Sequence, residues 1–174
     1  MKKILVAAIL VLVLAGATYL IFFKEPVFKA TNGYLVNLDG NGVIIEGYDP
    51  VAYFTDNKAL KGSPQFSAQH ESAVYWFASA EHAELFKQEP AKYAPQYGAF
   101  CGYAVSIGKL RPVDPMIYQI VNGRLILQHT QEAYDLFNKD LEKNTAKADK
   151  NWPVIVADHI GKPVQYDKPA TAAN

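Results

Sequence analysis

Cysteine is scarce in this chain, which carries a single one, Cys101, among 174 residues. One cysteine excludes an intramolecular disulfide and the paired Cys-x2-Cys sets that hold structural zinc. The thiol is then a small buried hydrophobe, a link to another molecule or a reactive group. The first role is the commonest for a free cysteine, and residue type alone does not decide among the three.

A charge excess of either sign is also missing. The chain holds 17 basic and 17 acidic residues, and without Lys2 and Lys3 the basic count falls to 15. A protein that holds a phosphate backbone needs a basic stripe, so we expect no nucleic-acid partner. Half of the residues are apolar and 13% are aromatic, which argues against disorder and suffices for one globular core.

The longest uncharged run lies near the N-terminus, over residues 4–23. Twenty residues of helix span about 30 Å, the thickness of the hydrocarbon core of a bilayer. Ala15 and Ala17 offer a signal-peptidase exit, but the apolar run continues beyond them, which favours an uncleaved signal anchor. Lys2 and Lys3 before the run predict that the N-terminus stays inside and that the rest of the chain is exported.

These features predict four parts along the chain. They are a transmembrane signal anchor over residues 1–24, a linker over 25–33, a globular domain over 34–157 and a flexible tail over 158–174. The predicted location is the inner membrane, with the globular domain in the periplasm or at the cell exterior. The membrane is the one partner that the sequence indicates, and no residue pattern identifies a protein partner.

Three pairs of short apolar runs predict β-hairpins. They are residues 34–38 with 43–46 around Asp-Gly-Asn-Gly, residues 66–70 with 74–78, and residues 117–121 with 124–128 around Asn-Gly. Residues 98–108 fit a helix or a strand equally well.

Two helices are predicted among these hairpins. The first covers residues 80–88 after Ser79, and the second runs from Thr130 to about residue 148. Asn-Trp-Pro at residues 151–153 closes the second helix, and Trp152 is expected to anchor it on the core. The pattern indicates an α+β fold, with a small antiparallel sheet from hairpins, short helices and one longer C-terminal helix, preceded by the transmembrane helix.

Residues 75–101 carry the motif YWFAS-x2-H-x3-F-x3-P-x-KY-x3-YG-x2-C, and DPVAYF precedes it at residues 49–54. Together these motifs resemble the YHS domain, and in particular the exported single-domain YHS proteins of bacteria. The resemblance covers residues 47–153. Metal-associated YHS relatives carry cysteines in a DPVC and an FCS-x2-C segment, where this chain has Ala52, Ala78 and His82.

The resemblance and the residue types together suggest a soft or borderline metal ion, copper or zinc. Cys101 and His82 supply a thiolate and an imidazole, and Asp49 adds an oxygen ligand if its loop folds against the helix. The alternative is that His82 is exposed on its helix and Cys101 is merely packed in the core. A third reading makes the same pair a nucleophile and its base, although no recognisable motif supplies the orienting third residue.

The many aromatic residues suggest a second kind of site. Most of them form core, yet Tyr53, Trp76 and Tyr97 could line an apolar pocket with polar tips for a small ligand. The sequence therefore predicts a domain that acts by binding rather than by turnover. The metal site is the first hypothesis, and an interaction or small-ligand-binding domain with a structural Cys101 is the second.

Overall fold

A computed structural model of the chain describes residues 28–29, 33–160 and 163–164. These residues form an α+β fold, as predicted. The strands are β1 (Phe28–Lys29), β2 (Ser63–His70), β3 (Ala73–Phe77), β4 (Asp114–Val121), β5 (Arg124–Gln128) and β6 (Pro163–Val164). The α-helices are α1 (Ala52–Thr55), α2 (Ala80–Gln88), α3 (Pro90–Tyr93), α4 (Gly102–Ser106), α5 (Gln131–Asn138) and α6 (Leu141–His159). Short 3-10 turns cover Ile45–Gly47 and Gln96–Ala99.

The predicted transmembrane anchor and most of the predicted tail lie outside the described residues. Within the described ranges, no helix has the length and apolar character needed to cross a bilayer.

The second and third predicted hairpins are confirmed. β2 pairs antiparallel with β3, and β4 with β5. The latter pair is joined by Asn122 and Gly123, which both have positive φ, as a two-residue hairpin turn requires. The hairpins form separate two-stranded sheets instead of one. Val43 bridges Val74 at the side of β3, and the Gln96–Ala99 turn packs on β5.

The first predicted hairpin, residues 34–38 with 43–46, does not form two paired strands. Only one bridge, between Leu38 and Ile44, joins the two segments. The Asp39 carboxylate closes the turn by accepting the backbone N–H groups of Asn41 and Val43. The Ile44 N–H then donates to the Val74 carbonyl, so the segment pairs with β3 instead of extending its own hairpin.

The predicted longer C-terminal helix is present as α6, but the stretch predicted as one helix from Thr130 forms two, α5 and α6. Thr130 does cap α5, accepting the Ala133 N–H at 3.1 Å. The Asn144 side chain donates to two carbonyls at the end of α5, and this ends that helix before α6 begins. Pro153 does not end α6, contrary to the sequence prediction, because the flanking Trp152 and Ile155 pack into the core and hold the helix through the proline.

Two clusters of buried side chains form the core. One contains Tyr75, Phe77, Phe86 and Cys101, and the other joins the Gln96–Ala99 turn to α4, α5 and α6. The Trp152 ring lies 5.9 Å from the Tyr97 ring and 6.2 Å from the Phe100 ring, centroid to centroid. The prediction that this tryptophan anchors the long helix is confirmed.

Candidate functional site

Asp49 is a fully buried carboxylate at the start of α1. The following proline disfavours helical geometry at residue 49, so the chain turns there. Its Oδ1 accepts the backbone N–H groups of Val51 at 2.8 Å and Ala52 at 3.4 Å. Its Oδ2 accepts the N–H of Ala78, 29 residues along the chain, at 2.8 Å. The side chain thus fastens α1 to the end of β3 while its charge is compensated by backbone dipoles.

The same oxygen of Asp49 contacts the Nδ1 atom of His82 at 2.7 Å. His82 lies in the first turn of α2, whose N-cap Ser79 accepts the His82 backbone N–H at 3.1 Å. An ionised carboxylate has no proton to give, so His82 donates through Nδ1. Its Nε2 atom is then the nitrogen left for another partner, and 15% of the side chain is exposed.

On the Nε2 side, His82 faces two further oxygens from the end of α1. The Thr55 hydroxyl lies 3.4 Å from Nε2, and Asp56 Oδ2 lies 3.5 Å from it. The Thr55 hydroxyl contacts Asp56 Oδ2 at 2.6 Å, as its donor. We call Asp49, Thr55, Asp56 and His82 the His82 cluster. It places an imidazole between a buried carboxylate and a partly exposed one.

The sequence pattern does not identify two members of the His82 cluster, Thr55 and Asp56. Residues 51–54 read as a short apolar run and residues 55–62 as a polar loop, so nothing singles out Thr55 or Asp56. They face His82 because residues 52–55 form one turn of helix that reverses the chain. That turn begins with the Asp49 side chain accepting two N–H groups ahead of it, a local preference of aspartate that the sequence does reveal.

Cys101 is placed differently. The thiol is 1% exposed and donates to the Gln128 side-chain oxygen at 3.2 Å. Burial raises the pKa of this thiol, and backbone hydrogen bonds from Ala104, His129 and Tyr103 offset the rise only in part. These partners differ from those of Asp49 and His82.

The structure therefore brings together two of the three suggested metal ligands, Asp49 and His82. Across the part of the chain that the structure describes, no group of three or more His, Cys, Asp or Glu side chains is arranged to hold a metal ion.

The three aromatics suggested as a ligand pocket have different surroundings. The Tyr53 hydroxyl is buried and donates to the Pro115 carbonyl at 3.0 Å. Trp76 covers Gly47, where a Cβ atom would lie only 2.5 Å from the indole ring. Tyr97 alone lines a cavity of about 230 Å³.

Comparison of the chain with protein-family models, with curated proteins and with solved structures finds no match. The YHS resemblance therefore stays a prediction from the motifs at residues 49–54 and 75–101.

Proposed function

We propose that this chain is a membrane-anchored, exported binding module of YHS type, and that its His82 cluster binds a borderline divalent metal ion, zinc or copper. In this proposal Nε2 of His82 and the carboxylate of Asp56 are the protein ligands. Asp49 is not a ligand but orients the imidazole. Cys101 is structural.

The carrying observation is the set of contacts around the His82 ring. Asp49 holds Nδ1 at 2.7 Å, which is the usual arrangement behind a metal-bound histidine and directs the Nε2 lone pair outward. That lone pair faces the Asp56 carboxylate at 3.5 Å. Two acceptors facing each other repel unless a cation lies between them. A bound proton or a metal ion between Nε2 and the Asp56 carboxylate would remove this repulsion.

The distance between the two acceptors fits a metal. Nitrogen and oxygen ligands bound to one ion at about 2.0–2.2 Å lie about 3–4 Å apart. An imidazole with a carboxylate suits zinc or copper(II), and the Thr55 hydroxyl beside them adds a third oxygen. The ion would neutralise the outer carboxylate, while Asp49 keeps the imidazole in one tautomer.

Binding is favoured over catalysis by the direction of the Thr55 hydroxyl. It donates to Asp56 at 2.6 Å and lies 3.4 Å from His82, so His82 does not act as its base. The buried thiol does not serve as a nucleophile either, because burial raises its pKa and its proton is engaged by Gln128.

Calorimetric titration of the full-length protein with zinc and with copper(II), in a detergent without metal-binding groups, tests the proposal. We expect one ion per chain, loss of binding in His82→Gln and at least tenfold weaker binding in Asp56→Asn. His129→Gln removes an exposed imidazole elsewhere and serves as the matched control. Cys101→Ser should keep the wild-type affinity.

Two results would contradict this assignment. Loss of binding in Cys101→Ser would show that the thiol, and not only the His82 cluster, is needed to bind the metal. Absence of any heat of binding with either metal in the wild type would show that the His82 cluster holds no metal ion.

The anchoring part of the proposal has its own test. We expect the full-length chain to stay in the membrane pellet after alkaline carbonate extraction and its globular part to be digested by protease added to spheroplasts. Release into the carbonate supernatant would contradict the anchor.

A further inference from the structure

A cavity of about 230 Å³ lies between β2–β3, the Gln96–Ala99 turn and α6, and it shares no lining residue with the His82 cluster. Its walls include four aromatic rings, those of Tyr34, Tyr75, Tyr97 and Trp152. The volume is below the usual range for drug-sized ligands, so any ligand must be small.

The charged lining of this cavity is one-sided. Glu71 contributes a carboxylate and His70 an imidazole, whose Nε2 lies 3.5 Å from that carboxylate, and none of the described residues that line the space is a lysine or an arginine. Among these lining residues, an anionic ligand would meet the Glu71 carboxylate with no lysine or arginine to offset its charge. A small cation would meet the carboxylate together with the electron-rich faces of aromatic rings.

The backbone around the cavity is strained at two of the residues that line it. Glu71 has φ 48° in the turn between β2 and β3, and Tyr97 has φ 55° in the Gln96–Ala99 turn. Glycine or asparagine usually fills such positions, because the left-handed conformation is unfavourable for other residues. At Glu71 the positive φ is the one that the two-residue turn between β2 and β3 requires, so this hairpin turn itself positions Glu71 at the cavity.

Tyr75 forms a buried part of the cavity wall. It is 2% exposed, and its ring packs on the Phe86 ring at 4.5 Å, centroid to centroid. Burial raises the pKa of the Tyr75 hydroxyl, and the nearby Glu71 carboxylate adds to the rise. The phenol thus stays neutral beside the carboxylate and contributes a ring without a competing charge.

We propose that this cavity binds a small organic monocation, a quaternary or alkylated ammonium group, held by the Tyr34, Tyr97 and Trp152 rings and by the Glu71 carboxylate. The ammonium group can belong to a free small molecule or to a lipid headgroup, because both present the same cation to the rings.

Fluorescence titration of the full-length protein in maltoside detergent tests the proposal. Trp76→Phe leaves Trp152 as the only indole, because the chain has two tryptophans. Choline is the probe, and 3,3-dimethylbutan-1-ol, which has the same shape without the charge, is the control ligand. We expect choline to change the Trp152 emission saturably and the neutral alcohol to bind at least tenfold more weakly.

Variants locate the site. Glu71→Gln should weaken choline binding about tenfold, and Tyr34→Leu, which removes a half-exposed ring, about threefold. Glu81→Gln makes the same charge change on the exposed face of α2 and should leave the affinity unchanged. Equal binding of choline and the neutral alcohol, or equal affinity in Glu71→Gln, would overturn the proposal. No saturable change with choline or with the lipid would do the same.

A second arm separates the two sources of the cation. Nanodiscs of phosphatidylcholine, with phosphatidylglycerol nanodiscs as control, present the headgroup at a membrane. Competition between choline and the phosphatidylcholine surface identifies a headgroup site, and binding of choline unaffected by the lipid identifies a free ligand. The metal titration of the His82 cluster is read independently, so failure of either proposal leaves the other standing.

Discussion

At the scale of single residues, Asp49 is the centre of the described site. Its two oxygens accept three backbone N–H groups and the His82 ring, all from within a buried position. Only an ionised carboxylate meets four donors without a donor–donor clash. The residue therefore serves the fold and the imidazole at once, and replacing it tests both roles.

We expect Asp49→Asn to lower the free energy of unfolding by about 3 kcal/mol, because the amide NH2 must face a buried N–H donor. Urea unfolding at 25 °C measures the change. Asp39→Asn is the matched control, since Asp39 also accepts two backbone N–H groups but lies in a partly exposed turn. It should cost about 1 kcal/mol or less. Equal losses in the two variants would show that the buried position of Asp49 is unimportant.

Cys101 gives a prediction with a pH dependence. Its pKa lies above the ordinary value of 9.0 because burial disfavours the thiolate. The fold therefore prefers the neutral thiol, and this preference is fully present below about pH 9 and is lost as the pH rises through the folded-state pKa. We expect the stability difference between wild type and Cys101→Ala to shrink between about pH 7 and about pH 10.

Urea unfolding of both proteins at each pH gives that difference. Comparing the two cancels the buried tyrosines, because burial raises the pKa of Tyr53, Tyr75 and Tyr97 alike in both proteins. A difference that stays constant with pH would mean that the thiol titrates as it does in the unfolded chain.

At the scale of secondary-structure elements, two helix caps allow an effect on the metal site to be distinguished from an effect on stability. Ser79 caps α2 through the His82 N–H, and Thr130 caps α5 through the Ala133 N–H, both at 3.1 Å. Removing either hydroxyl should cost about 1 kcal/mol of stability. Of these two helices, only α2 carries a residue of the His82 cluster.

We therefore expect Ser79→Ala to lower both the melting temperature and the zinc affinity, since it loosens the turn that fixes the His82 ring. Thr130→Ala should lower the melting temperature by a similar amount and leave the zinc affinity unchanged. Differential scanning calorimetry with zinc titration measures both quantities. Identical effects of the two variants on zinc affinity would show that the α2 cap does not position the imidazole.

The Gln96–Ala99 turn depends on one glycine. A Cβ atom at Gly98 would lie 2.0 Å from the Leu35 carbonyl oxygen, and φ there is +57°. Gly108 has φ +75° with nothing within 4 Å of its added Cβ, so it matches the backbone conformation without the contact. We expect Gly108→Ala to cost about 1–2 kcal/mol and Gly98→Ala to cost several kcal/mol more, measured by urea unfolding.

Losses of equal size at the two glycines would assign the whole effect to backbone conformation. In that case the close approach of Gly98 to the Leu35 backbone would not constrain the fold.

Local sequence signals predicted the elements that local chemistry decides. Asn122-Gly123 indicated its hairpin, and Ser79 and Thr130 indicated the helix starts, because turn geometry and capping involve only near neighbours. The segment 34–46 failed as a hairpin because its partners are distant. Asn37 donates to the Gly98 carbonyl and Ile44 to the Val74 carbonyl.

The candidate site divides along the same line. Asp49 and His82 are identifiable from the sequence as possible metal ligands in the YHS-like motifs. The sequence predicts contact between them only if the loop of Asp49 folds against the helix of His82. Thr55 and Asp56 carried no signal, because their place beside His82 follows from one helical turn. Cys101 stood out by its rarity, yet its surroundings depend on Gln128 across the core.

At the scale of the whole molecule, the described residues form two separate candidate binding sites around the hydrophobic core. The His82 cluster joins the end of α1 to the first turn of α2, and the aromatic cavity opens between β2–β3 and α6. Residue-level contacts set each location, and the membrane anchor proposed for residues 1–24 would hold both near a bilayer surface. In the proposed function, His82, held by Asp49, is the metal-binding group, and Cys101 is not.

The most direct measurement is a long-range 1H–15N correlation spectrum of the histidine rings, recorded on the full-length protein with and without zinc. We expect His82 to be protonated at Nδ1 in both states and only its Nε2 resonance to move when zinc is added. An unchanged His82 spectrum, accompanied by deprotonation of the Cys101 thiol on adding zinc, would contradict this expectation.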